Sequence, residues 1–190
     1  FEEQRAHGVL ISPIADDVRR LHELRDRGIP VVLVDRAVSG SGFSSVAVDD
    51  VLGGELAARH LVQTGRRRIA YVGGPAGLRQ VDDREHGARR TLDGADAAFE
   101  VIPVGSLTVA DARAAGELIA ARAPAVRPDA ASAAHPLLAL GVLQALPIAA
   151  LAAPRDTSLI RYDATASPAS APSPLSSFPP PTLLTGANPR

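Results

Sequence analysis

Several polar side chains follow directly after the apolar segments that we predict to be β-strands. An arginine offers five N–H donors in a fixed planar fork, and a carboxylate can accept hydrogen bonds from two adjacent hydroxyl groups. In open α/β sheets, ligands bind outside the carboxyl ends of the strands. The candidate positions for chemistry are therefore Asp35, Asp49–Asp50, the loop from Gly73 to Arg84, His135 and Asp163.

The sequence lacks the motifs that would make such residues a catalytic or metal site. No segment fits the phosphate-binding pattern G-x-x-x-x-G-K-[ST], and Pro75 in the glycine-rich loop has no N–H to offer a phosphate. There is no G-x-S-x-G nucleophile elbow. The five histidines form no H-x-x-x-H pair, and there is no cysteine to join them. We therefore expect a binding protein without catalytic residues, metal or cofactor.

The charge balance argues against direct binding of nucleic acid by these residues. The 20 Lys and Arg residues and 21 Asp and Glu residues give a formal net charge of −1, whereas phosphate backbones are bound by an excess of basic residues. No apolar run approaches the roughly 20 residues that span a bilayer. Because there is no cysteine and no signal peptide, we expect a cytoplasmic protein. The missing initiator Met leads us to expect that amino-terminal residues have been lost.

The elements that must position the polar residues alternate between strands and helices. Residues 8–13 and 30–35 are continuous apolar runs on either side of a one-faced helix at 15–27, which is typical of a βαβ unit. Continuous apolar strands indicate a parallel sheet that is covered on both faces. Further strands are predicted at 45–48, 68–73, 100–104, 129–133 and 158–162. The helices between them are predicted at 49–65, 83–92, 109–122 and 136–146.

Five segments form an ordered set of motifs. They are PVVLVDR at 30–36, VAVDDVLGGELAARHLVQTGRRRIAYVGGP at 46–75, Arg84 followed by Gly87, LLALGVLQAL at 137–146 and PRDTSLIRYD at 154–163. Together they resemble the effector-binding core of LacI/GalR-type bacterial transcription regulators over residues 8–163. The resemblance implies an α/β fold of two Rossmann-like lobes, the type I periplasmic-binding-protein-like fold, with a ligand cleft between the lobes. We expect the fold to be incomplete here.

The resemblance divides the chain into a partial amino-terminal lobe at 1–73 and a carboxy-terminal lobe at 74–163. Residues 164–190 differ in composition, because 7 of these 27 residues are proline and only Pro174–Ser177 is similar to a family motif. Such a segment cannot bury enough apolar surface to offset the entropy of ordering it. We therefore expect a disordered or irregular tail.

The resemblance also implies that Arg84 grips the ligand and that Asp163 accepts hydrogen bonds from it. The alternatives are a surface arginine in the first turn of a helix and an aspartate that caps a turn. Asp35 could reach the same ligand or could pair with its neighbour Arg36. Val48 would line the pocket as an apolar wall, although an ordinary core valine is the alternative.

His135 and Pro136 depart from the family, which has a polar pair such as Asn-Asp at this place. His135 can donate or accept a hydrogen bond toward the ligand, whereas Pro136 has no side chain that could cap a helix. A damaged site and an altered specificity both remain open. We expect Asp49 and Asp50 to cap a helix rather than to bind ligand, because carboxylates are favourable at helix amino termini.

The resemblance thus implies the sugar-binding or polyol-binding core of a repressor, with a nucleobase as the less favoured effector. DNA would be bound only through a helix-turn-helix headpiece absent from this chain, in a homodimer and without contact to a membrane. One alternative is a solute-binding protein for sugar uptake. Another is a non-functional remnant, for which Arg161 is one sign, because it stands where the family has glycine.

Overall fold

Strands and helices alternate in the computed structural model, which describes residues 6–13, 18–35, 40–162, 176–178 and 182–183. The strands are β1 (Val9–Ile11), β2 (Val31–Val34), β3 (Ser44–Val48), β4 (Arg68–Gly73), β5 (Ala98–Pro103), β6 (Ala130–Ala133), β7 (Ser158–Tyr162), β8 (Ser176–Phe178) and β9 (Thr182–Leu183). The helices are α1 (Arg19–Asp26), α2 (Asp50–Gln63), α3 (Arg79–Leu92), α4 (Val109–Ala120) and α5 (Pro136–Ile148).

The chain divides into two units, of which the first comprises residues 1–49 and 181–190. Its described strands form one sheet in the order β1-β2-β3-β9. Strands β1, β2 and β3 run parallel, and β9 is antiparallel to β3. Helix α1 contributes to the small apolar core of this unit, which contains Val9, Leu21, Val31, Leu33 and Phe43. The predicted βαβ unit is therefore present.

The second unit comprises residues 50–180 and contains a fully parallel sheet in the order β5-β4-β6-β7-β8. Successive strand residues point to opposite faces. Ile69 packs with apolar residues of α2 and α3, whereas its neighbour Ala70 packs with those of α4 and α5. The sheet is therefore covered by one pair of helices on each face, with all four residues of β6 buried.

This arrangement explains the continuous apolar strands of the sequence. A strand that is buried on both faces has no position at which a polar side chain could reach water, so its pattern does not alternate. In β4 all residues after Arg68 are buried. The predicted α/β class with parallel sheets is confirmed.

Helices α2 and α3 approach each other closely at two glycines. A Cβ atom on Gly54 of α2 would lie 2.0 Å from the carbonyl oxygen of Arg84. A Cβ atom on Gly87 of α3 would lie 1.9 Å from the carbonyl oxygen of Val51. Because close-packed backbone cannot yield by such amounts, only glycine allows this crossing. The crossing brings the backbone of Arg84 against the beginning of α2.

The boundary between the units differs from the boundary expected from the sequence. We expected the first lobe to extend to Gly73, whereas the second unit begins at Asp50. The reason is packing, because β4 pairs with β5 and β6, and the apolar face of α2 shares a core with α3. Residues 50–73 are therefore part of the second sheet and its helical cover.

The carboxy-terminal segment is more regular than its composition indicates, in the places where it is described. Ser176–Phe178 extends the second sheet parallel to β7, with Ser176 opposite Ile160. Thr182–Leu183 pairs with β3. The expected irregular tail is therefore wrong for these five residues, because β7 and β3 offer backbone hydrogen-bond partners that composition does not reveal. The other residues of the tail lie outside the described part of the chain.

Candidate functional site

Arg84 lies in the second turn of α3 and forms an ion pair with Asp50, the first residue of α2. Its Nε donates to Asp50 Oδ1 over 2.9 Å, and its Nη2 lies 2.8 Å from the same oxygen. Its Nη1 donates to the carbonyl oxygen of Ala134, the residue after β6. Only 14% of the Arg84 side chain and 6% of the Asp50 side chain are exposed. The guanidinium group therefore joins two helices and the carboxyl end of a strand.

Asp50 has a larger role than the helix cap that the sequence predicted. It begins α2, where a carboxylate is favourable beside the helix dipole. Its carboxylate also receives two donors from Arg84, and hydrogen bonds between charged groups are shorter and stronger than those between neutral groups. The close crossing at Gly54 and Gly87 places the two side chains within reach. No local pattern in the sequence predicts this pair, because its members are 34 positions apart.

Tyr71 in β4 forms a hydrogen bond with the first turn of α3. Its phenolic hydroxyl donates to the carbonyl oxygen of Val81 over 2.7 Å, and the side chain is buried. Burial raises the pKa of Tyr71 well above its usual range, and the positive charge of Arg84 opposes this shift. The phenol is therefore neutral and remains a donor at physiological pH. A tyrosine within a strand of otherwise apolar residues was the available sequence signal, since a buried hydroxyl group needs a partner.

His135 caps α5 at the same edge of the sheet. Its Nδ1 accepts a hydrogen bond from the backbone N–H of Leu137 over 3.2 Å, and Pro136 occupies the first helical position. A proline suits that position because its missing N–H would have no helical partner there. Although His135 and Pro136 replace the polar pair of the family, α5 therefore still has a side-chain cap. His135 directly follows Ala134 in the chain, and the carbonyl oxygen of Ala134 accepts a hydrogen bond from Arg84.

Asp35 and Val48 belong to the first unit. Asp35 follows β2 with an exposed side chain and a φ of 62°, a left-handed conformation that aspartate tolerates better than most residues. Its backbone N–H donates to the carbonyl oxygen of Val46 over 2.8 Å. Val48 ends β3 and is half-buried. Both residues therefore follow or end neighbouring parallel strands, as the sequence predicted.

Asp163 and Arg36 lie outside the described residues, so the predicted ligand contact of Asp163 and the alternative Asp35–Arg36 ion pair remain predictions. Arg161, the bulky replacement for a family glycine, lies in β7 and is half-buried. Among the described residues, no group of three His, Cys, Asp or Glu side chains is arranged to hold a metal ion. In the same part of the chain, no helix has the length and apolar character needed to cross a membrane.

A separate cavity of about 240 Å³ lies at the amino ends of β4 and β5, away from Arg84. Arg68, Phe99, Glu100 and Arg122 are among the residues that line it. Arg122 pairs with Glu100, but 34% of the arginine and 39% of the glutamate side chain are exposed. The cavity contains none of the predicted site residues.

Comparison with known protein families identifies the fold and the relatives of the chain. Residues 58–188 match the model of a family described as "Periplasmic binding protein-like domain". The HTH-type transcriptional regulator CelR of Thermobifida fusca is 31% identical over 187 residues, which is 96% of this chain and 54% of the relative. The ribose operon repressor of Bacillus subtilis is 30% identical over 163 residues, 86% of this chain and 48% of that protein. The chain thus spans about half the length of these relatives.

Solved structures agree with these relatives. A regulatory protein of the LacI family from Chloroflexus aggregans superposes with a TM-score of 0.80 at 25% identity, covering 95% of this chain and 65% of that one. A LacI family transcriptional regulator from Lactobacillus casei with bound glucose has a TM-score of 0.78 at 25% identity, covering 93% and 67%. The motifs that suggested the resemblance therefore correspond to relatives with the same fold.

Proposed function

Because this chain belongs to the family of periplasmic binding protein-like domains, we propose that it is the effector-binding part of a LacI-type transcriptional repressor. Its relatives in both comparisons include LacI-type regulators, as the sequence motifs predicted. The structural observation that carries the proposal is the position of Arg84. Its guanidinium group is held at the carboxyl end of β6, beside His135, where ligands bind in parallel α/β sheets.

The proposed effector is a sugar or a related polyol. The proposed binding residues are those predicted from the sequence, namely Arg84, Asp163, Asp35, His135 and Val48. Guanidinium, imidazole and carboxylate groups supply donors and acceptors that match vicinal hydroxyl groups. Val48 supplies the apolar surface that most ligand sites combine with a few polar groups. The sugar named for the Bacillus subtilis relative is ribose, and glucose is bound in the Lactobacillus casei structure.

The proposed role is binding and not catalysis, in the cytoplasm and in a homodimer. An effector that binds one conformation better than another shifts the population toward it, and the difference in affinity limits the size of the shift. Effector binding would change the affinity for DNA, which a helix-turn-helix headpiece outside this chain would bind. The coupling free energy between effector and DNA is the same in both directions.

Calorimetric titration of the 190-residue chain with D-ribose, D-glucose, sucrose and myo-inositol tests the binding step. We expect saturable binding of at least one of these compounds. Replacing Arg84 by lysine keeps the charge but removes the fork, and a lost charge-assisted hydrogen bond costs about 1.5–3 kcal/mol, or roughly tenfold or more in affinity. Arg79→Lys is the matched control, because Arg79 lies on the same helix and pairs with Asp83 in a more exposed position.

The repressor role needs a second measurement. The chain is joined to a helix-turn-helix headpiece of a matching relative, and its affinity for that relative's operator DNA is measured with and without the sugar that binds. Unequal affinities support the proposal. Equal affinities, for a sugar that demonstrably binds, would contradict the role in regulation and leave sugar binding in place.

A role in sugar uptake is the second candidate. The fold is shared with a periplasmic ribose ABC transporter protein from Conexibacter woesei at a TM-score of 0.74 and 22% identity, which concerns the fold alone. The coding sequence upstream of Phe1 distinguishes the two roles. A headpiece of the helix-turn-helix type there supports the repressor, and a secretory signal peptide supports uptake.

A further inference from the structure

We propose that Asp50 is a specificity-determining residue, which restricts the site around Arg84 to uncharged ligands such as neutral sugars and polyols. The inference rests on the proposed binding function and adds the class of ligand to it. The sequence predicts only a helix cap at Asp50. The structure places it between the proposed ligand-binding arginine and the start of α2.

The first part of the argument is charge. The Asp50 carboxylate lies within 2.9 Å of two nitrogen atoms of the Arg84 guanidinium, so the pair has no net charge. Both side chains are largely withdrawn from water, and weaker solvent screening makes their mutual attraction stronger than that of a surface pair. A ligand at Arg84 therefore meets a dipolar pair and not an isolated cation.

The second part is the comparison between ligands. A hydroxyl group needs only donors and acceptors, which a neutral pair can offer. A carboxylate or phosphate ligand gains binding free energy from a cation that has no counter-ion. This gain is lost when the carboxylate of the protein already pairs with the guanidinium group. An anionic ligand would also be repelled by Asp50 at short range. The pair thus discriminates against anions without a steric barrier.

The third part is geometry. The ion pair cannot open without cost, because the crossing at Gly54 and Gly87 fixes the two helices against each other. The guanidinium group also donates, through Nη1, a hydrogen bond to the carbonyl oxygen of Ala134. Arg84 is therefore positioned by the fold before a ligand arrives, and Asp50 remains beside it when the ligand is bound.

The experiment compares two matched pairs of probes, D-glucose with D-glucuronate and D-ribose with D-ribose 5-phosphate. Each pair differs by one anionic group. Calorimetric titrations are made with the 190-residue chain and with Asp50→Asn, which keeps the shape and an acceptor oxygen but removes the negative charge. We expect the unchanged chain to bind the neutral member of at least one pair at least tenfold more tightly than the anionic member. In Asp50→Asn this ratio should fall by at least tenfold.

Two further variants serve as controls. Asp83→Asn makes the same chemical change one position before Arg84, at a carboxylate whose ion pair with Arg79 is more exposed, and it should leave the ratio unchanged. Asp50→Glu restores the negative charge and should restore the preference for the neutral ligand. These variants separate the charge of Asp50 from its contribution to the stability of α2.

The outcomes distinguish this inference from the function on which it rests. If the unchanged chain binds the anionic member as tightly as the neutral one, the inference is wrong, and this holds even if Asp50→Asn fails to fold. It is also wrong if Asp50→Asn folds and binds with an unchanged ratio. If the unchanged chain binds none of the four probes and none of the sugars tested above, the proposed function itself fails and the inference falls with it.

Discussion

The two ends of the second unit's sheet each carry an arginine–carboxylate pair, in very different surroundings. At the carboxyl end, Arg84 and Asp50 are 14% and 6% exposed, and a backbone carbonyl oxygen completes the arrangement. At the amino end, Arg122 and Glu100 border an open cavity with more than a third of each side chain in contact with solvent. Residue types alone therefore do not show what an ion pair contributes.

The physical difference lies in what happens when one partner is removed. An exposed pair contributes only about 0–1 kcal/mol, because water solvates each charge when the other is lost. A buried pair leaves behind a charge without solvent, which is much more costly than the net value of the pair. We therefore expect the carboxyl end to tolerate substitution poorly and the amino end to tolerate it well. Three measurements test this expectation, in order of decreasing effect.

The largest effect is expected from the glycine crossing that holds the carboxyl end together. Gly87→Ala places a Cβ atom against the carbonyl oxygen of Val51, so α2 and α3 must separate. Overpacking costs about 1–3 kcal/mol of unfolding free energy and occasionally more, and we expect a loss at the upper end because the contact is with backbone. Urea denaturation measures this loss. Gly94→Ala is the control, since a Cβ atom there has no neighbour within 4 Å. Equal stabilities of the two variants would show that the helices can move apart freely.

The second prediction compares the loss of unfolding free energy when the arginine of each ion pair is replaced. Arg84→Leu leaves Asp50 largely buried without its counter-ion, and we expect a loss of about 2 kcal/mol, below the value for a fully buried pair. Arg122→Leu at the amino end should cost less than about 1 kcal/mol. Both values come from urea denaturation at the same pH and salt concentration. A larger loss for Arg122→Leu than for Arg84→Leu would reverse the comparison.

The smallest effect is expected at the pair of Arg155 with Asp156, in which the arginine side chain is mostly exposed. The Arg155 hydrogen bond, and then the backbone N–H of Ala152, lower the pKa of Asp156 below its ordinary value of 3.8. Because this pKa is lower in the folded state, the ionised Asp156 side chain stabilises the fold at pH values above its pKa in the unfolded chain. This contribution is lost as the pH falls through the lower pKa of the folded state.

Asp156→Asn should therefore have a slightly lower free energy of unfolding than the unchanged chain at neutral pH. The difference in unfolding free energy should shrink below about pH 4. Urea midpoints measured across this range give the comparison. A difference that does not change with pH would show that charge is not the cause. The small size follows from the solvent around both side chains, because water competes with each contact that the pair makes.

Much of the fold could be predicted because burial on both sides of a sheet leaves a local trace. The strands at Arg68–Gly73 and Ser158–Tyr162 have the predicted bounds. In the first of them, the buried run after Arg68 marks the strand clearly. Helix α3 begins at Arg79 and not at residue 83 as predicted. Its first turn is polar, and what fixes that turn is the distant hydroxyl group of Tyr71. Local sequence does not contain such a contact.

The candidate site was less accessible to sequence reasoning. The resemblance identified Arg84 and Gly87 as one motif, and the structure explains the glycine as a close contact between helices. It could not identify the partner of Arg84, because that contact depends on how α2 crosses α3. His135 illustrates the opposite case, since its backbone position before a proline is predictable and its side chain became the cap of α5.

The buried tyrosine has a practical consequence for studies of the chain in solution. There is no tryptophan, and Tyr71 is one of only two tyrosines. Since burial raises the pKa of Tyr71, its absorbance should not change to that of tyrosinate during an alkaline titration until the second unit opens. The absorbance of one of the two tyrosines is thus an optical reporter of the integrity of the sheet beneath Arg84, without any added dye or label.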